Sequence, residues 1–171
     1  MKTKLLAWEV LGIIFIVLFG GIMHFFYEWF GNLLIVGTFA PVNESVWEHL
    51  KLGYWPLIIF MLIEYYFLKD EVNNFLFGKA LASLIIPLFI IVFFYTYTAI
   101  IGNHILVLDI LSFVFGTTLA QLVSYKILIS NRKSKYYSYL GAIIIVLLGF
   151  FLILFTFFPP NLPLFIDYSV L

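Results

Sequence analysis

The chain has 171 residues, no net charge and no cysteine, and 64% of it is Ala, Val, Ile, Leu, Met, Phe, Trp, Tyr or Cys, with only 11% charged. Soluble domains hold roughly 45–50% apolar residues, so the solvent for most of this surface is a lipid bilayer. Disulfides, thiolate zinc sites and thiol redox chemistry are excluded, and a balanced charge gives no electrostatic case for nucleic acid.

Crossing the hydrocarbon takes about 20 apolar residues. Five stretches qualify, at roughly 5–30, 53–69, 75–101, 104–129 and 136–158. With no internal repeat or linker, the expectation is a single all-α transmembrane domain over 1–171.

The first stretch follows a basic tip of Lys2 and Lys4. It is too long for a signal peptide and lacks a small-residue cleavage site, so a retained helix is expected. It carries Glu9 near its start, and His24 and Glu28 near its end. At i,i+4 these last two share a helix face, where the carboxylate would fix the histidine tautomer as an outer-shell partner does beside a metal. Residues 31–41, GNLLIVGTFAP, are too short to cross and are expected to form a re-entrant or capping segment.

The block PVNESVWEHLK, Pro41–Lys51, gathers Glu44, Glu48 and His49 in six residues. Ser45-x-x-Glu48 fits a capping box, Asn43 is an alternative cap, and Glu48 and Lys51 can pair at i,i+3. Those roles leave His49 and one glutamate without a structural explanation.

In the third span Pro87 is expected to kink the helix and free the carbonyl of Ser83. The end of that span, Tyr95-Thr96-Tyr97-Thr98, is rich in hydroxyls. His104 opens the fourth span and Asp109 lies inside its apolar run, where an unpaired aspartate costs about 2.5–3.5 kcal/mol. Asp109 is therefore expected to face the bundle and meet a histidine. Gly116, Thr117 and Thr118 suit close helix packing, and Gln121 a hydrogen bond to another helix. Pro159 and Pro160 stop the fifth span, and Leu162–Phe165 is expected to fold back on the bundle mouth. Glu9 and Glu64 are read as structural, satisfied by Lys69, Lys126 or by reaching water.

Five spans leave Lys2, Lys4, Lys69, Lys79, Lys126, Arg132, Lys133 and Lys135 on one side and only Lys51 on the other. That asymmetry predicts a cytoplasmic N-terminus and an extracytoplasmic C-terminus in a multi-pass protein of the cell membrane. All three histidines, with Glu28, Glu44, Glu48 and Asp109, then fall at the outer end, and ionisable groups at membrane depth mark sites.

The element His24-x-x-Tyr27-Glu28-Trp29, the block Pro41–Lys51 and the proline-rich tail together resemble an uncharacterised family of small prokaryotic membrane proteins. The resemblance covers most of the chain and implies no activity.

The function expected from the residues is a site for a divalent metal (zinc, iron or manganese) in a membrane metallohydrolase. His24, His49, His104, Glu44 and Asp109 are the candidate ligands, and Glu48 or Glu28 the catalytic base. No His-Glu-x-x-His signature is present. The alternatives are a solute or proton-coupled transporter or binding subunit, as a homodimer or part of a larger membrane complex, and a haem protein ligated by His24 and His104. A small-molecule or lipid substrate is left open.

Overall fold

A computed structural model describes residues 2–130 and 133–167. It is all-helical over that range: α1 Lys2–Met23, α2 Phe26–Trp29, α3 Leu34–Gly37, α4 Val46–His49, α5 Lys51–Leu68, α6 Phe75–Ile101, α7 Leu106–Leu128 and α8 Lys135–Phe157, then a 3₁₀ turn at Pro163–Phe165. Among the described residues, five helices are long and apolar enough to cross a membrane. Their outer faces expose Leu18, Leu88 and Val146, a surface that suits lipid and would be unusual facing water. α6 packs against α7, α8 and α5, and α1 against α5 and α7.

Two boundaries differ from the sequence expectation, and both matter for the site. The first span does not run to residue 30. Phe25 N–H bonds back to Ile22 O, three residues away, a tightened turn that re-aims the chain before α2. The second span begins earlier than residue 53: Leu50 keeps helical dihedrals, so α4 runs into α5 and the span is Val46–Leu68. The NESVWEH motif is therefore the first turn of a membrane-length helix.

Pro87 lies within the unbroken α6, as Pro56 does within α5. The segment 31–41 has only the single turn α3, beside exposed Leu33, Leu34 and Ile35. The tail returns as expected: the ring of Trp47 lies 5.4 Å from Phe155 and 4.9 Å from Phe165. Ser45 forms an isolated antiparallel bridge with Asp167.

Glu9 and Glu64 are not satisfied by Lys69 or Lys126. Both contact Lys79, whose Nζ lies 3.0 Å from Glu9 Oε2 and 2.6 Å from Glu64 Oε2 with no exposed surface. Lys51 is likewise fully buried. Neither lysine is therefore a surface charge. Besides buried Lys79, the described lysines at the lysine-rich end are Lys2, Lys4, Lys69, Lys126, Lys133 and Lys135, and Arg132 lies outside the described residues.

Close helix approach depends on missing side chains. A Cβ on Gly141 would lie 2.6 Å from the backbone of Leu76 and Phe77, and one on Gly116 would lie 3.2 Å from Phe89. A Cβ on Gly20 would lie 2.4 Å from the carbonyl oxygen of Leu52. Gly20 is four residues before His24 and Leu52 three after His49, so this contact sets the gap between the two histidine-bearing helices. Gly20→Ala is expected to force α1 from α5 at a cost of about 1–3 kcal/mol. A lowered unfolding temperature in detergent would report it, whereas an unchanged one would mean that the backbones do not touch.

Candidate metal centre

The Pro41–Lys51 block folds through its own short-range bonds. Asn43 Oδ1 accepts from Ser45 N–H at 3.0 Å, and Ser45 Oγ accepts from Glu48 N–H at 3.3 Å. Ser45 is thus the N-cap, and Asn43 supports the turn before it. The other half of the capping box does not form. The Glu48 carboxylate accepts from Val42 N–H at 2.9 Å and Thr156 Oγ1 at 2.9 Å, and pairs with Lys51 Nζ at 2.6 Å. Lys51 donates further to the carbonyls of Gly37 at 2.7 Å and Ala40 at 3.1 Å. One buried ammonium thus binds a carboxylate, the last carbonyl of α3 and a carbonyl of the loop that follows it.

That network turns Glu48 away from the histidines, and none of its hydrogen bonds reaches them. The glutamate that capping leaves over is Glu44. Its Oε2 lies 3.5 Å from His24 Nε2 and 3.3 Å from His49 Nε2, and the two ring nitrogens are 3.1 Å apart. The three side chains come from the end of α1, the loop before α4 and the first turn of the second span. Each is part-exposed, at 31%, 30% and 48% for His24, His49 and Glu44.

The lengths of this triangle are informative. Two nitrogens bonded to one tetrahedral zinc at 2.0–2.1 Å are about 3.3–3.4 Å apart. A triangle with sides of 3.1, 3.3 and 3.5 Å has a circumradius of about 1.9 Å, so a point about 2.0–2.1 Å from all three atoms lies just above its plane. Two imidazoles and one carboxylate on a single face leave further coordination positions open.

The tautomer of His49 points the same way. Its Nδ1 is 2.8 Å from the carbonyl oxygen of Ser45, which can only accept, so Nδ1 carries the hydrogen and neutral His49 presents a lone pair at Nε2. That lone pair then faces a carboxylate oxygen, an arrangement of two acceptors that calls for a cation or a proton between them. In the absence of metal a proton serves: the hydrogen bond from His49 holds the Glu44 carboxyl below the usual range, against a smaller opposing effect of partial burial.

His24, Glu44 and Glu28 line one cavity of about 330 Å³, with Tyr27, Asn32 and Pro41–Asn43. The helix is interrupted before α2, and no hydrogen bond joins Glu28 to His24 among the described residues. Glu28 lies on the cavity wall, where its carboxylate is exposed.

His104 and Asp109 form a second pair, and the Asp109 carboxylate is close enough to act on His49 through its charge. His104 Nδ1 is 3.5 Å from Asp109 Oδ2. Asp109 also accepts from the hydroxyl of Tyr97, which in turn accepts from Ile105 N–H at 3.1 Å. The expectation that Asp109 meets a histidine and a hydroxyl of the third span is met. Among the described residues, the cluster with ligand atoms within 4.8 Å of one another is His24, Glu44 and His49. His24 turns to His49 and His104 to Asp109, so the face-to-face His24–His104 geometry of the haem reading does not arise.

A family model matches residues 1–170, and its description is a family of unknown function, DUF6512. The chain belongs to DUF6512. No curated protein and no solved structure matches it. For this DUF6512 chain, the sequence marks Lys51 as a helical pair for Glu48 and as the lone lysine of its side, but not as a buried donor to Gly37 and Ala40. A single basic residue in so apolar a neighbourhood was the available signal.

Lys51→Met would leave Glu48 buried with its charge uncompensated, a change that typically costs about 3–5 kcal/mol. Thermal unfolding should drop well beyond that of a surface lysine variant such as Lys133→Met.

A carboxyl held low in the folded state contributes stability above its ordinary pKa, and loses it as pH falls through the lowered value. The Glu44 carbon resonance of metal-free protein should accordingly titrate below a normal glutamate, and return to the ordinary range in His49→Ala.

Proposed function

We propose that the chain binds a divalent transition metal through His24, His49 and Glu44, and that the metal activates water as part of a membrane metallohydrolase. The observation that carries this reading is the triangle of ligand atoms, sized for one ion and closed by the Ser45 carbonyl that directs His49 Nε2 inward. Two histidines and a glutamate are a common donor set for catalytic zinc and, as a facial triad, for non-haem iron. Bound, the metal lowers the pKa of water and polarises the group under attack. Glu28, on the wall of the same cavity, is the general base of the proposal. His104 and Asp109 sit outside the ligand set. The lysine asymmetry supports an extracytoplasmic position for the site.

A binding or transport role is the second reading. The cavity lined by His24, Glu28 and Glu44 favours it, since histidine and carboxylate walls also suit a small polar solute.

Protein purified without chelator should carry close to one equivalent of zinc, iron or manganese. His24→Ala, His49→Ala and Glu44→Ala should each weaken binding by more than the about 10–100-fold typical of losing an outer-shell partner, while His104→Ala leaves it unchanged. Acidification should weaken it in parallel, because protons compete for the same nitrogens. Chelator-resistant stabilisation by a solute, with no metal retained after reconstitution, would favour the second reading instead.

A further inference from the structure

A second polar cluster lies at the lysine-rich end of the same two helices. Glu9 is fifteen residues before His24 on α1, and Glu64 fifteen residues after His49 on the second span. At 1.5 Å per residue the two clusters are about 22 Å apart along the bundle. The α1–α5 seam between them holds buried Ile16, Leu57 and Phe60.

Four helices build this cluster. α1 supplies Glu9, α5 Glu64, α6 Lys79 and α7 Ser124 and Gln121. No ion pair or hydrogen bond links α8 to it among the described residues. Glu9 is fully engaged: Lys79 Nζ donates to Oε2 at 3.0 Å, Ser124 Oγ donates to Oε1 at 2.9 Å, and Gln121 Nε2 lies 3.5 Å from its backbone carbonyl. Glu64 is not. Its one compensating group is Lys79, whose Nζ pairs with its Oε2 at 2.6 Å and is shared with Glu9, and no other donor reaches either carboxylate oxygen among the described residues. Gln121 Oε1 and Thr117 Oγ1 are buried without hydrogen-bond partners among them. Thr117, Gln121 and Ser124 share one face of α7 by their spacing. All six side chains are 2% exposed or less.

Two carboxylates and one ammonium sum to a net negative charge at membrane depth. Such a charge costs several kcal/mol unless something neutralises it. The unequal bonding shows where the neutralising group belongs. Glu9 has the ammonium and a hydroxyl as donors, the environment of an ionised carboxylate. Glu64 has only that same ammonium, shared with Glu9, and no second donor, so it is the less compensated of the two carboxyls.

We propose that this cluster is a proton-binding site in which Glu9 stays ionised against Lys79 while Glu64 carries one exchangeable proton. Release of that proton leaves Glu64 as a carboxylate that must share Lys79 with Glu9, and rebinding restores neutrality. The ligand is a proton, taken up and released at the lysine-rich end, and the site works independently of whether metal binds at the other end.

Infrared spectroscopy of lipid-reconstituted, carbon-13 glutamate-labelled protein at neutral pH tests this. The wild type should show the carbonyl stretch of a protonated carboxylic acid, shifted in heavy water. Glu64→Gln should abolish it and Glu44→Gln should not. Glu9→Gln should abolish it too, because Glu64 must then ionise as the sole counterion of Lys79. Lys79→Met should enlarge it, since both acids then need protons. A labelled wild type without the band overturns the proposal, whether the negative charge is met by a bound monovalent cation or not at all, and so does a band that survives in Glu64→Gln. The wild-type spectrum decides even where a variant fails to fold, and metal analysis of the same samples reads the other end separately.

Discussion

An ammonium or carboxylate removed from water costs several kcal/mol unless another charge and directed hydrogen bonds replace its hydration. In a chain with this apolar composition, that requirement fixes how the bundle is assembled at both ends. Lys51 is fully buried, and its three donors go to Glu48 and to the carbonyls of Gly37 and Ala40. It thereby ties the loop after α1 to the start of the second span. Lys79 does the equivalent at the opposite end, between α1, α5 and α6.

The candidate metal centre depends on this scaffold at one remove. Glu44 sits between Val42, whose amide is held by Glu48, and Ser45, which caps the helix and is bridged to Asp167. His24 reaches the same point because Gly20 lets α1 lie against the carbonyl of Leu52. Each candidate ligand is thus placed by a neighbour that makes structural bonds only, so the three side chains remain free to face one another. Capping, burial and ion pairing use up Ser45, Glu48 and Lys51, while Glu44 and His49 remain for chemistry.

The two polar clusters share α1 and the second span but differ in kind. The mouth cluster is part-exposed, opens on a cavity and contains two ring nitrogens and a carboxylate, donors suited to a transition metal. The buried cluster is closed, lacks imidazole and is short of one positive charge, which suits a proton. The same pair of helices supplies a water-accessible end and a dry end.

Composition and spacing alone determined the helical membrane-type fold, the five spans and the gathering of His24, Glu44 and His49 at one end, because a hydrocarbon solvent leaves few alternatives to long apolar helices. The surplus of Glu44 and His49 over what capping needs was also readable, since capping consumes a fixed number of side chains. Other features were decided by tertiary contacts. Whether Glu44 or Glu48 faces the histidines turned on Lys51, Val42 and Thr156, groups separated from Glu48 by as many as 108 residues. His104 pairs with Asp109, which Tyr97 also holds, and a tightened turn interrupts the helix between Gly20 and Glu28. The pairing of Glu9 and Glu64 with Lys79 joins three helices, and spacing along the chain carries no record of which helices will be neighbours. Sequence sets how many charges must be compensated, but only packing chooses which ones meet.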